Sequence, residues 1–519
     1  MPLPELIQGL LKAEAYPHAC GPIALIETHI SWVLLTGELA YKVKKPVDLG
    51  FLDYRGLARR KFFCEEELRL NGRLAPDLYL DVAAIAGSVS APRIDGPGEV
   101  LEYAVRMRQF AQGDLLPERM KTTPLDTATA ARLAQRVAEF HARVAVAPRD
   151  SAWGTPRSIL DSMEHNFSAV RRNVSDPGLE DRLVPLELWT FERHAALTQA
   201  MEQRKAEGFV RECHGDMHLG NVAVIDGELT LFDGIEFNPG LRWIDVISEL
   251  AFLLMDLDDR GARRPSRRVL NTYINESGDF GGLTLVRLYQ VYRALVRAKV
   301  SAIRASQSVS DPDTREHNVA QCAQYVELAD TYTCAGRPFV WITHGFSGSG
   351  KSTLCSHLSE LVDAVWLRSD LERKRLFGMA PGEREQGGVD KGIYSAESGQ
   401  RVYGRLAELA REIIEAGFPV IVDATFLNAP RRFEFRQLAR ICGAGFRILN
   451  LQADLETLRK RIERRASLDS DPSDADERVL ARQLEHYDPL TGIERAEAIP
   501  VDTAALPKPA DIERWINGS

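Results

Sequence analysis

The residues of this chain that could do chemistry are most concentrated in one decapeptide, ECHGDMHLGN, at residues 212–221. Asp216 could accept a proton from an attacking hydroxyl group, and Asn221 could hold a metal ion beside a phosphate. This chemistry needs a further metal-binding carboxylate on a neighbouring hairpin, and ELTLFDG (228–234) offers Asp233 after an alternating apolar strand. The order and separation of the three side chains therefore predict phosphoryl transfer to a hydroxyl group.

The two histidines of the decapeptide suggest a different chemistry, zinc binding. His214 and His218 are four residues apart, a spacing that would place two zinc ligands on one side of a helix. Gly215 and Gly220 disfavour a helix there, and no third ligand pattern accompanies the histidines. Phosphoryl transfer explains the decapeptide better than zinc does.

A second motif lies further along the chain, in FVWITHGFSGSGKSTL. The octet GFSGSGKS satisfies GxxxxGK[ST] and stands between an apolar run that predicts a strand and a helical pattern. Glycines in such a loop turn successive N–H groups toward phosphate oxygens, while Lys351 approaches the β- and γ-phosphates and Ser352 ligates Mg²⁺. The predicted ATP-binding residues are Gly345, Phe346, Ser347, Gly348, Ser349, Gly350, Lys351, Ser352 and Thr353.

Two carboxylates follow at the ends of the next predicted strands. Asp370 ends the first of these, and Arg373 comes three residues later, on the same side of a helix. A carboxylate at that position can take the proton of the attacking hydroxyl, so Asp370 is the predicted general base. Asp423 closes VIVDAT and is the predicted holder of the Mg²⁺ water shell. The structural alternatives are an N-capping aspartate with a surface arginine, and a strand-end cap.

A basic run begins the segment LRKRIERRASLDSDPSDADE at residues 458–477. Arg461, Arg464 and Arg465 could neutralise the transferred phosphate after a lid closes over it. The alternative is a solvated helix face, because most charge runs are of that kind.

Phosphoryl transfer by the decapeptide requires an upstream lysine on a strand and a glutamate on the next helix. LAYK best fits the lysine strand, which makes Lys42 the prediction and Lys44, on the same strand face, the alternate. Glu67 lies on the apolar face of its predicted helix, where an unpaired carboxylate would be costly. A lysine partner would explain that position, and Glu66 is the alternate.

The elements that must position these residues change character along the chain. Short strands and one helix dominate up to about residue 110, and long helical patterns follow from about residue 125. Beyond TCAGRPF (333–339) five apolar runs alternate with helical segments, namely FVWITH, AVWLRSD, PVIVDAT, FRILNLQAD and AIPVDTA. This alternation predicts an α/β domain at 335–519 with a five-stranded parallel sheet and helices on both faces.

Composition bounds the function classes. The 519 residues are 45% hydrophobic and carry a net charge of −9, so no global basic field recruits nucleic acid. Seven scattered cysteines without a CxxC pair indicate a reducing compartment. The N-terminus lacks a signal-peptide pattern, and the longest apolar run contains Glu249, so we expect a cytoplasmic protein without a membrane partner.

HGDxHxxN is the form characteristic of aminoglycoside and choline/homoserine-type small-molecule kinases, and residues 214–221 resemble it. The resemblance implies a two-lobed protein-kinase-like fold for residues 1–334, with an N-lobe over about 1–110 and ATP between the lobes. It also implies that Asp216 is the base, that Asn221 and Asp233 bind Mg²⁺, and that His218 is structural.

Two departures from that family are visible. Gly-Ile-Glu follows the metal aspartate where the family usually has a Trp-Glu pair. The N-terminal region also lacks a Gly-x-Gly-x-x-Gly nucleotide loop. In LRWIDVISELAF, Asp245 resembles the family's later aspartate that braces the loop.

The D-x-x-R after the phosphate loop resembles that of the polynucleotide 5′-kinase, gluconate kinase and zeta-toxin group. That likeness implies Asp370 as general base and Arg373 as a ligand of a substrate phosphate. The whole chain resembles predicted proteins described as bifunctional aminoglycoside phosphotransferase-like, AAA-type ATP-binding proteins. ETHISWVLLTGELAYKVKKPVDLGFLDY and SDADERVLARQLE (473–485) carry this resemblance.

The sequence therefore predicts a bifunctional ATP- and Mg²⁺-dependent kinase that phosphorylates hydroxyl groups of small molecules at two sites. One alternative is a nucleotide-regulated ATPase or sensor in which only the phosphate-loop half is catalytic. Another is a phosphate-loop half that acts as a polynucleotide 5′-hydroxyl kinase, which the net acidity disfavours. The sequence identifies neither acceptor and gives no oligomeric state.

Overall fold

The computed structural model describes residues 3–48, 50, 52–308, 311–334, 336–380, 383, 396–468, 477–503 and 506–517. The chain divides into two compact units. The first comprises Met1–Leu125, Glu139–Asn166 and His194–Asp256, and the second comprises Asp126–Ala138, Phe167–Arg193 and Leu257–Ser519. The second unit thus runs through the predicted boundary near residue 334, and that boundary stays a prediction.

The described strands, in chain order, are β1 (Ala24–Glu27), β2 (Ser31–Leu35), β3 (Leu39–Lys44), β4 (Tyr79–Ser88), β5 (Ala91–Ile94), β6 (Val100–Arg108), β7 (Val210–Glu212), β8 (Val222–Ile225), β9 (Glu228–Leu231), β10 (Trp243–Asp245), β11 (Phe339–His344), β12 (Val365–Arg368), β13 (Val420–Asp423), β14 (Gly445–Gln452) and β15 (Ala498–Asp502).

The described helices are α1 (Glu5–Leu10), α2 (Leu57–Asn71), α3 (Leu116–Met120), α4 (Thr127–Arg143), α5 (Pro156–Asn173), α6 (Pro177–Ala206), α7 (Pro239–Arg242), α8 (Val246–Asp259), α9 (Arg263–Ser277), α10 (Leu283–Gln307), α11 (Pro312–Thr331), α12 (Lys351–Leu361), α13 (Ser369–Leu376), α14 (Ala396–Glu415), α15 (Ala429–Ile441), α16 (Leu455–Leu468), α17 (Glu477–Glu485), α18 (Gly492–Glu497) and α19 (Pro509–Asn517). Among the residues described, no helix has both the length and the apolar character needed to cross a bilayer.

The first unit contains a six-stranded antiparallel sheet in the order β1-β2-β3-β6-β4-β5. Side chains alternate between the two faces of each strand, so β3 presents Tyr41 and Val43 to a core that also contains Leu10 of α1. On the other face, Ala40 packs with Cys64 of α2. Lys42 and Lys44 share that second face, which directs both lysines toward α2.

Two short hairpins complete the first unit's site region. β7 pairs with β10, and β8 pairs with β9, both antiparallel. The segment between β7 and β8 contains the HGDMHLGN loop (214–221), which the sequence predicts to be catalytic and which we therefore call the catalytic loop. The hairpin of β8 and β9 returns the chain from Asn221 to Phe232, whose N–H donates to the Asn221 carbonyl at 3.0 Å. This pairing places Asp233 beside the catalytic loop.

The second unit contains a five-stranded, all-parallel sheet in the order β12-β13-β11-β14-β15. One face packs against α12 and α19 through a core that includes Trp341, Leu354 and Ile512. Helices α14, α15 and α18 contact the sheet through β11, β13 and β14. The phosphate loop (345–352) follows the central strand β11, as expected for the carboxyl edge of such a sheet.

Helix α9 closes the open edge of this sheet. β12 is the edge strand, so the outward backbone groups of Trp366 and Ala364 have no neighbouring strand to pair with. Asn271 Oδ1 accepts a hydrogen bond from Trp366 N at 2.6 Å, and its Nδ2 donates to the Ala364 carbonyl at 3.0 Å. Asn275, one helical turn later, donates to the Trp366 carbonyl at 2.8 Å. The side chains of Asn271 and Asn275 thus satisfy backbone groups that a neighbouring strand would otherwise satisfy.

Arginines extend the contact of α9 with the helices that flank the parallel sheet of the second unit. Arg267 donates to the carbonyls of Glu360 and Leu361 at 2.9 and 3.0 Å, and Arg268 pairs with the Glu360 carboxylate. Arg375 of α13 donates to the Asn275 carbonyl at 2.7 Å. Helix α9 therefore touches both the helix after the phosphate loop and the helix that carries Asp370.

The predicted fold class is confirmed in both halves. The N-terminal half has an antiparallel sheet lobe followed by a largely helical region, the protein-kinase-like arrangement, and the C-terminal half has the five-stranded parallel sheet. All five predicted apolar runs of the C-terminal half are strands of that sheet.

Candidate functional site

The lysines of β3 meet the glutamate of α2. Lys42 Nζ lies 2.7 Å from Glu67 Oε1 and 2.5 Å from Asp233 Oδ1. Lys44 Nζ lies 2.7 Å from the other Glu67 oxygen and pairs with Glu236. The predicted residues Lys42, Glu67 and Asp233 are thus brought together, and the alternate lysine shares the same glutamate.

The electrostatics of this cluster favour the charged forms of Lys42 and Glu67. Burial alone would lower the pKa of Lys42, but Asp233 and Glu67 raise it well above its ordinary value. Burial would raise the pKa of Glu67, but the two lysines lower it to about 2. Lys42 is 12% exposed and Lys44 fully buried, so Lys42 is the lysine that a phosphate arriving from solvent can reach.

The alternate glutamate, Glu66, has a different set of partners. It receives Arg69 at 2.7 Å and Arg242 at 2.8 Å, and the same two arginines pair with Glu212 at the end of β7. Glu66 therefore holds α2 to the strand that leads into the catalytic loop and makes no ion pair with the β3 lysines among the described contacts.

The catalytic loop brings its own polar residues into one cluster. Asn221 Nδ2 donates to the Asp216 carbonyl at 2.9 Å and to Asp216 Oδ2 at 3.2 Å. His218 Nε2 lies 3.3 Å from the same carboxylate oxygen, and its Nδ1 accepts from Gly220 N at 3.0 Å. His218 therefore orients Asp216 within the loop, while the Asp216 side chain stays 37% exposed.

Asp233 adopts a left-handed backbone conformation, with φ of 64°. This unusual conformation for a residue other than glycine is held by its surroundings: Asp233 N donates to the Tyr79 hydroxyl at 3.0 Å, and Gly234 N donates to Asn71 Oδ1 at 2.7 Å. His214 Nε2 bonds the Phe232 carbonyl at 2.8 Å. The sheet, α2 and the catalytic loop thus jointly fix Asp233.

Two buried carboxylates of α8 hold the catalytic loop from behind. Glu249 Oε1 accepts from Gly215 N at 2.6 Å, and Asp256 Oδ2 accepts from Leu219 N at 2.9 Å. The other Glu249 oxygen lies 2.8 Å from His141 Nε2. Sequence reasoning did not assign either carboxylate to the site, although an acidic residue inside the apolar run VISELAFLLMDL was a usable signal.

His141, Cys213 and Glu249 lie close enough to consider a metal ion, with one potential ligand atom of each within 4.8 Å of the others. Both Glu249 oxygens, however, already accept hydrogen bonds, and Cys213 Sγ approaches the Ile244 carbonyl at 3.6 Å. These contacts explain why the three polar groups are buried: they hold the catalytic loop in place.

Asp245, the residue that resembles the family's bracing aspartate, binds Arg204 through both oxygens at 2.7 and 2.9 Å. It also accepts from Ile247 N at 2.8 Å, which caps the start of α8. Its contacts fix α6 and α8, and the carboxylates that reach the catalytic loop are those of Glu249 and Asp256.

The turn between β1 and β2 stands where a nucleotide-covering loop is expected and contains no glycine. Thr28 closes it, because Thr28 Oγ1 accepts from Ser31 N at 2.9 Å. Lys45, at the end of β3, bonds the Thr28 carbonyl at 2.5 Å and the Glu27 carboxylate at 2.6 Å. The departure noted in the sequence is thus a short, side-chain-closed turn.

The phosphate loop has the backbone shape that its glycines permit. Gly348 and Gly350 have φ of 82° and 90°, values that favour glycine. Lys351 Nζ donates to the carbonyls of Gly345 and Phe346 at 3.0 and 2.7 Å. The lysine therefore reaches back over the first two residues of the loop, in the position from which it would serve the β- and γ-phosphates.

The two metal-ligand candidates of the C-terminal half, Ser352 and Asp423, meet at the start of α12. Ser352 hydrogen-bonds the buried Asp423 carboxylate, and Trp366 Nε1 donates to Asp423 Oδ2 at 3.1 Å. Burial raises the pKa of Asp423, and Arg368, Ser352 and Lys351 offset that rise only in part. Asp370 stands two residues beyond Arg368, the residue paired with Asp423 across β12 and β13.

Among the described contacts, Arg461 is the predicted arginine that approaches the phosphate loop. Arg373 lies on α13, the helix that begins one residue before Asp370. Arg461 of α16 donates to Thr503 Oγ1 and to the Thr503 carbonyl, both at 3.1 Å, and its Nη1 lies 3.4 Å from where a Cβ on Gly350 would be. Arg464 lies on the same helix and is exposed. The side chain of Arg465 lies outside the described residues.

Comparison with known proteins supports the prediction of a phosphate-loop domain in the C-terminal half. Residues 340–490 match the family model described as AAA domain. The uncharacterized proteins Rv2004c of Mycobacterium tuberculosis and Mb2027c of Mycobacterium bovis are each 29% identical over 477 residues, which is 92% of this chain and 93% of theirs.

Two solved structures are each similar to part of the chain. A choline/ethanolamine kinase family protein from Mesorhizobium loti covers 63% of this chain and 99% of its own, at 13% identity and a TM-score of 0.39. A gluconokinase from Sinorhizobium meliloti 1021 covers 35% of this chain and 93% of its own, at 20% identity and a TM-score of 0.25.

Proposed function

We propose that this chain, whose residues 340–490 carry the AAA domain, is a bifunctional phosphotransferase that uses ATP and Mg²⁺ at two separate sites. The N-terminal site lies in residues 1–334 and the C-terminal site in residues 335–519. Each phosphorylates a hydroxyl group of a small molecule.

One observation carries the proposal: each half brings a lysine and a metal-type carboxylate together, on unrelated folds. In the first unit Lys42 contacts Asp233, beside the loop of Asp216. In the second unit Lys351 and Ser352 stand at the phosphate loop beside Asp423. Independent convergence of the same chemical groups is expected if both halves handle nucleotide phosphates.

The oxygen donors at each site fit Mg²⁺, which prefers carboxylate, hydroxyl and amide oxygens. Asn221 and Asp233 would hold it in the N-terminal site, and Ser352 and Asp423 in the C-terminal site. The buried, polar setting of Asp423 supports this role, because its elevated pKa reflects a carboxylate that lacks sufficient positive charge around it. When bound, Mg²⁺ neutralises charge on the phosphates.

In the C-terminal site the backbone of the phosphate loop holds the phosphates, and Lys351 moves its hydrogen bonds from two carbonyls to the β- and γ-phosphates. Asp370 accepts the proton of the acceptor hydroxyl, and Arg373 holds an anionic group of the acceptor. Arg461, Arg464 and Arg465 neutralise the transferred phosphoryl group.

In the N-terminal site Lys42 holds the ATP phosphates while Glu67 fixes the lysine. Asp216, oriented by His218 and Asn221, accepts the proton of the acceptor hydroxyl. Its partial exposure leaves room for a small hydroxylated molecule to approach.

The test uses the full chain in three forms: wild type, Lys351→Ala and Asp216→Asn. Calorimetric titration with MgATP should give two nucleotides per wild-type chain and one per Lys351→Ala chain. An untargeted screen for phosphorylated metabolites should find different products lost in the two variants. Lys460→Ala is the matched control, because Lys460 is 71% exposed and pairs only with Glu456 among its described ion pairs.

Each alternative outcome has a distinct meaning. A single nucleotide per wild-type chain would refute the two-site proposal. ATP hydrolysis without any phosphorylated product would favour a regulated ATPase, for which the glycine-free β1–β2 turn is the supporting feature. Labelling of 5′-hydroxyl oligonucleotides would replace the small-molecule acceptor of the C-terminal half with a polynucleotide.

A further inference from the structure

Gln483 of α17 makes a two-point contact with the third residue of the phosphate loop. Ser347 N donates to Gln483 Oε1 at 2.9 Å, and Gln483 Nε2 donates to Ser347 Oγ at 3.0 Å. The direction of both bonds follows from chemistry alone. A backbone N–H can only donate, so the amide oxygen must face it, and the amide nitrogen then faces the hydroxyl. Since an amide nitrogen can only donate, Ser347 Oγ is the acceptor.

This direction determines what the hydroxyl proton can do. Ser347 Oγ receives a hydrogen bond from Gln483, so its own proton is not used in that contact and points elsewhere. Ser347 is only 7% exposed, which limits competition from bulk water. A buried hydroxyl whose lone pair is already engaged is a preorganised donor for an anionic oxygen.

The neighbours of Ser347 keep this arrangement rigid. Phe346 contacts the ring of Tyr487 edge-on, with 5.3 Å between centroids, and packs against a cluster of Leu458, Ile462 and Leu480. On the other side, a Cβ at Gly348 would lie 2.7 Å from the Leu458 carbonyl oxygen. Helices α16 and α17 therefore seat the loop on both sides of Ser347.

The lysine shows which end of the nucleotide this part of the loop would meet. Lys351 Nζ bonds the carbonyls of Gly345 and Phe346, directly before Ser347. A phosphate-loop lysine serves the β- and γ-phosphates. Ser347 therefore lies at the end of the loop that faces the terminal phosphates.

We propose that Gln483 is a positioning residue that orients Ser347 to donate its hydroxyl to the terminal phosphate of ATP, so that the pair distinguishes ATP from ADP. The inference rests on the proposed nucleotide site of the C-terminal half. ADP lacks the γ-phosphate that this hydroxyl would bond, so the pair contributes to ATP affinity and not to ADP affinity.

The test compares ATP and ADP affinities of the full chain at the site that Lys351→Ala removes. Ser347→Ala deletes the donor. Gln483→Met removes the amide that orients the hydroxyl and adds no charge beside the loop, so the hydroxyl proton is no longer directed to the nucleotide. Both changes should weaken ATP binding about tenfold and leave ADP binding within about twofold, as expected for one hydrogen bond to a charged group.

The double variant supplies a further criterion. If the two residues act as one unit, Ser347→Ala with Gln483→Met should lose no more ATP affinity than Ser347→Ala alone. Glu485→Gln, on an exposed position of the same helix, is the matched control and should change neither affinity. Unchanged ADP binding also shows that the loop remains folded in each variant.

Two failures are distinguishable. Equal losses of ATP and ADP affinity, or no loss of either, would overturn the role of the Ser347–Gln483 pair while leaving the nucleotide site in place. Absence of any Lys351-dependent nucleotide binding in the wild type would overturn the proposed function of the C-terminal half and this inference with it.

Discussion

Replacing Asn271 by alanine should weaken the edge of the parallel sheet by an amount that the contacts allow to be worked out. The side chain satisfies two backbone groups of the edge region, Trp366 N–H and the Ala364 carbonyl. Alanine leaves both without these partners in a buried setting, and each unsatisfied group costs about 1–2 kcal/mol. The expected loss of local stability is therefore about 2–4 kcal/mol.

Native-state hydrogen exchange of the β12 peptide measures this loss directly. A local destabilisation of that size corresponds to exchange that is faster by a factor of about thirty to several hundred. The matched control is Asn318→Ala, because Asn318 is also buried, on α11, and among the described contacts its side chain donates only to the Thr314 carbonyl of its own helix. β12 exchange in the Asn271 variant that stays within about threefold of the Asn318 variant would refute strand replacement by α9.

Three further changes have expected outcomes. Burial raises the pKa of Asp258 to about 6 from an ordinary 3.8, so the charged form is disfavoured in the fold and the free energy of unfolding falls as pH rises from about 4 to 6. Asp258→Asn should therefore raise the free energy of unfolding by up to about 3 kcal/mol in urea denaturation at pH 8. A gain that persists undiminished at pH 4 would contradict this cause. Glu67→Gln should lower the free energy of unfolding by about 3 kcal/mol, because it leaves the buried Lys44 with Glu236 as its one anionic partner among the described ion pairs. Glu65→Gln, at an exposed position of the same helix, should change the stability very little. Equal shifts of the melting temperature for the two variants would argue against the buried cluster. Gly348→Ala should abolish nucleotide binding at the phosphate loop, because its Cβ would lie 2.7 Å from the Leu458 carbonyl oxygen. The control variant Gly404→Ala, on α14, places its Cβ in open space and should bind nucleotide normally. Normal nucleotide titration of the Gly348 variant would be inconsistent with the close approach of α16.

The sequence could predict features that depend on residues close together along the chain. The phosphate loop is a contiguous octet whose glycines have a single physical purpose, and the five strands around it are short apolar runs of the expected period. The contact of Lys42 with Glu67 was also predictable, because a carboxylate on the apolar face of a helix requires a cation nearby. The catalytic roles of these residues remain predictions.

Contacts that depend on tertiary packing were not predictable. Asn271 and Asn275 look like ordinary polar residues of a helix, and only the sheet order reveals the strand edge that they serve. Gln483 lies far from the phosphate loop in sequence, so nothing local connects it to Ser347. Glu249 differed, because an acid in a run of apolar residues already implied a buried partner.

Lys42 and Lys44 contact different oxygens of Glu67, and their different burial gives them different tasks. Lys44 is fully buried and also pairs with Glu236, so it anchors the glutamate and its helix, whereas Lys42 is 12% exposed. Lys42 can therefore turn away from Glu67 toward an incoming anion while Lys44 keeps the glutamate, and with it α2, in place.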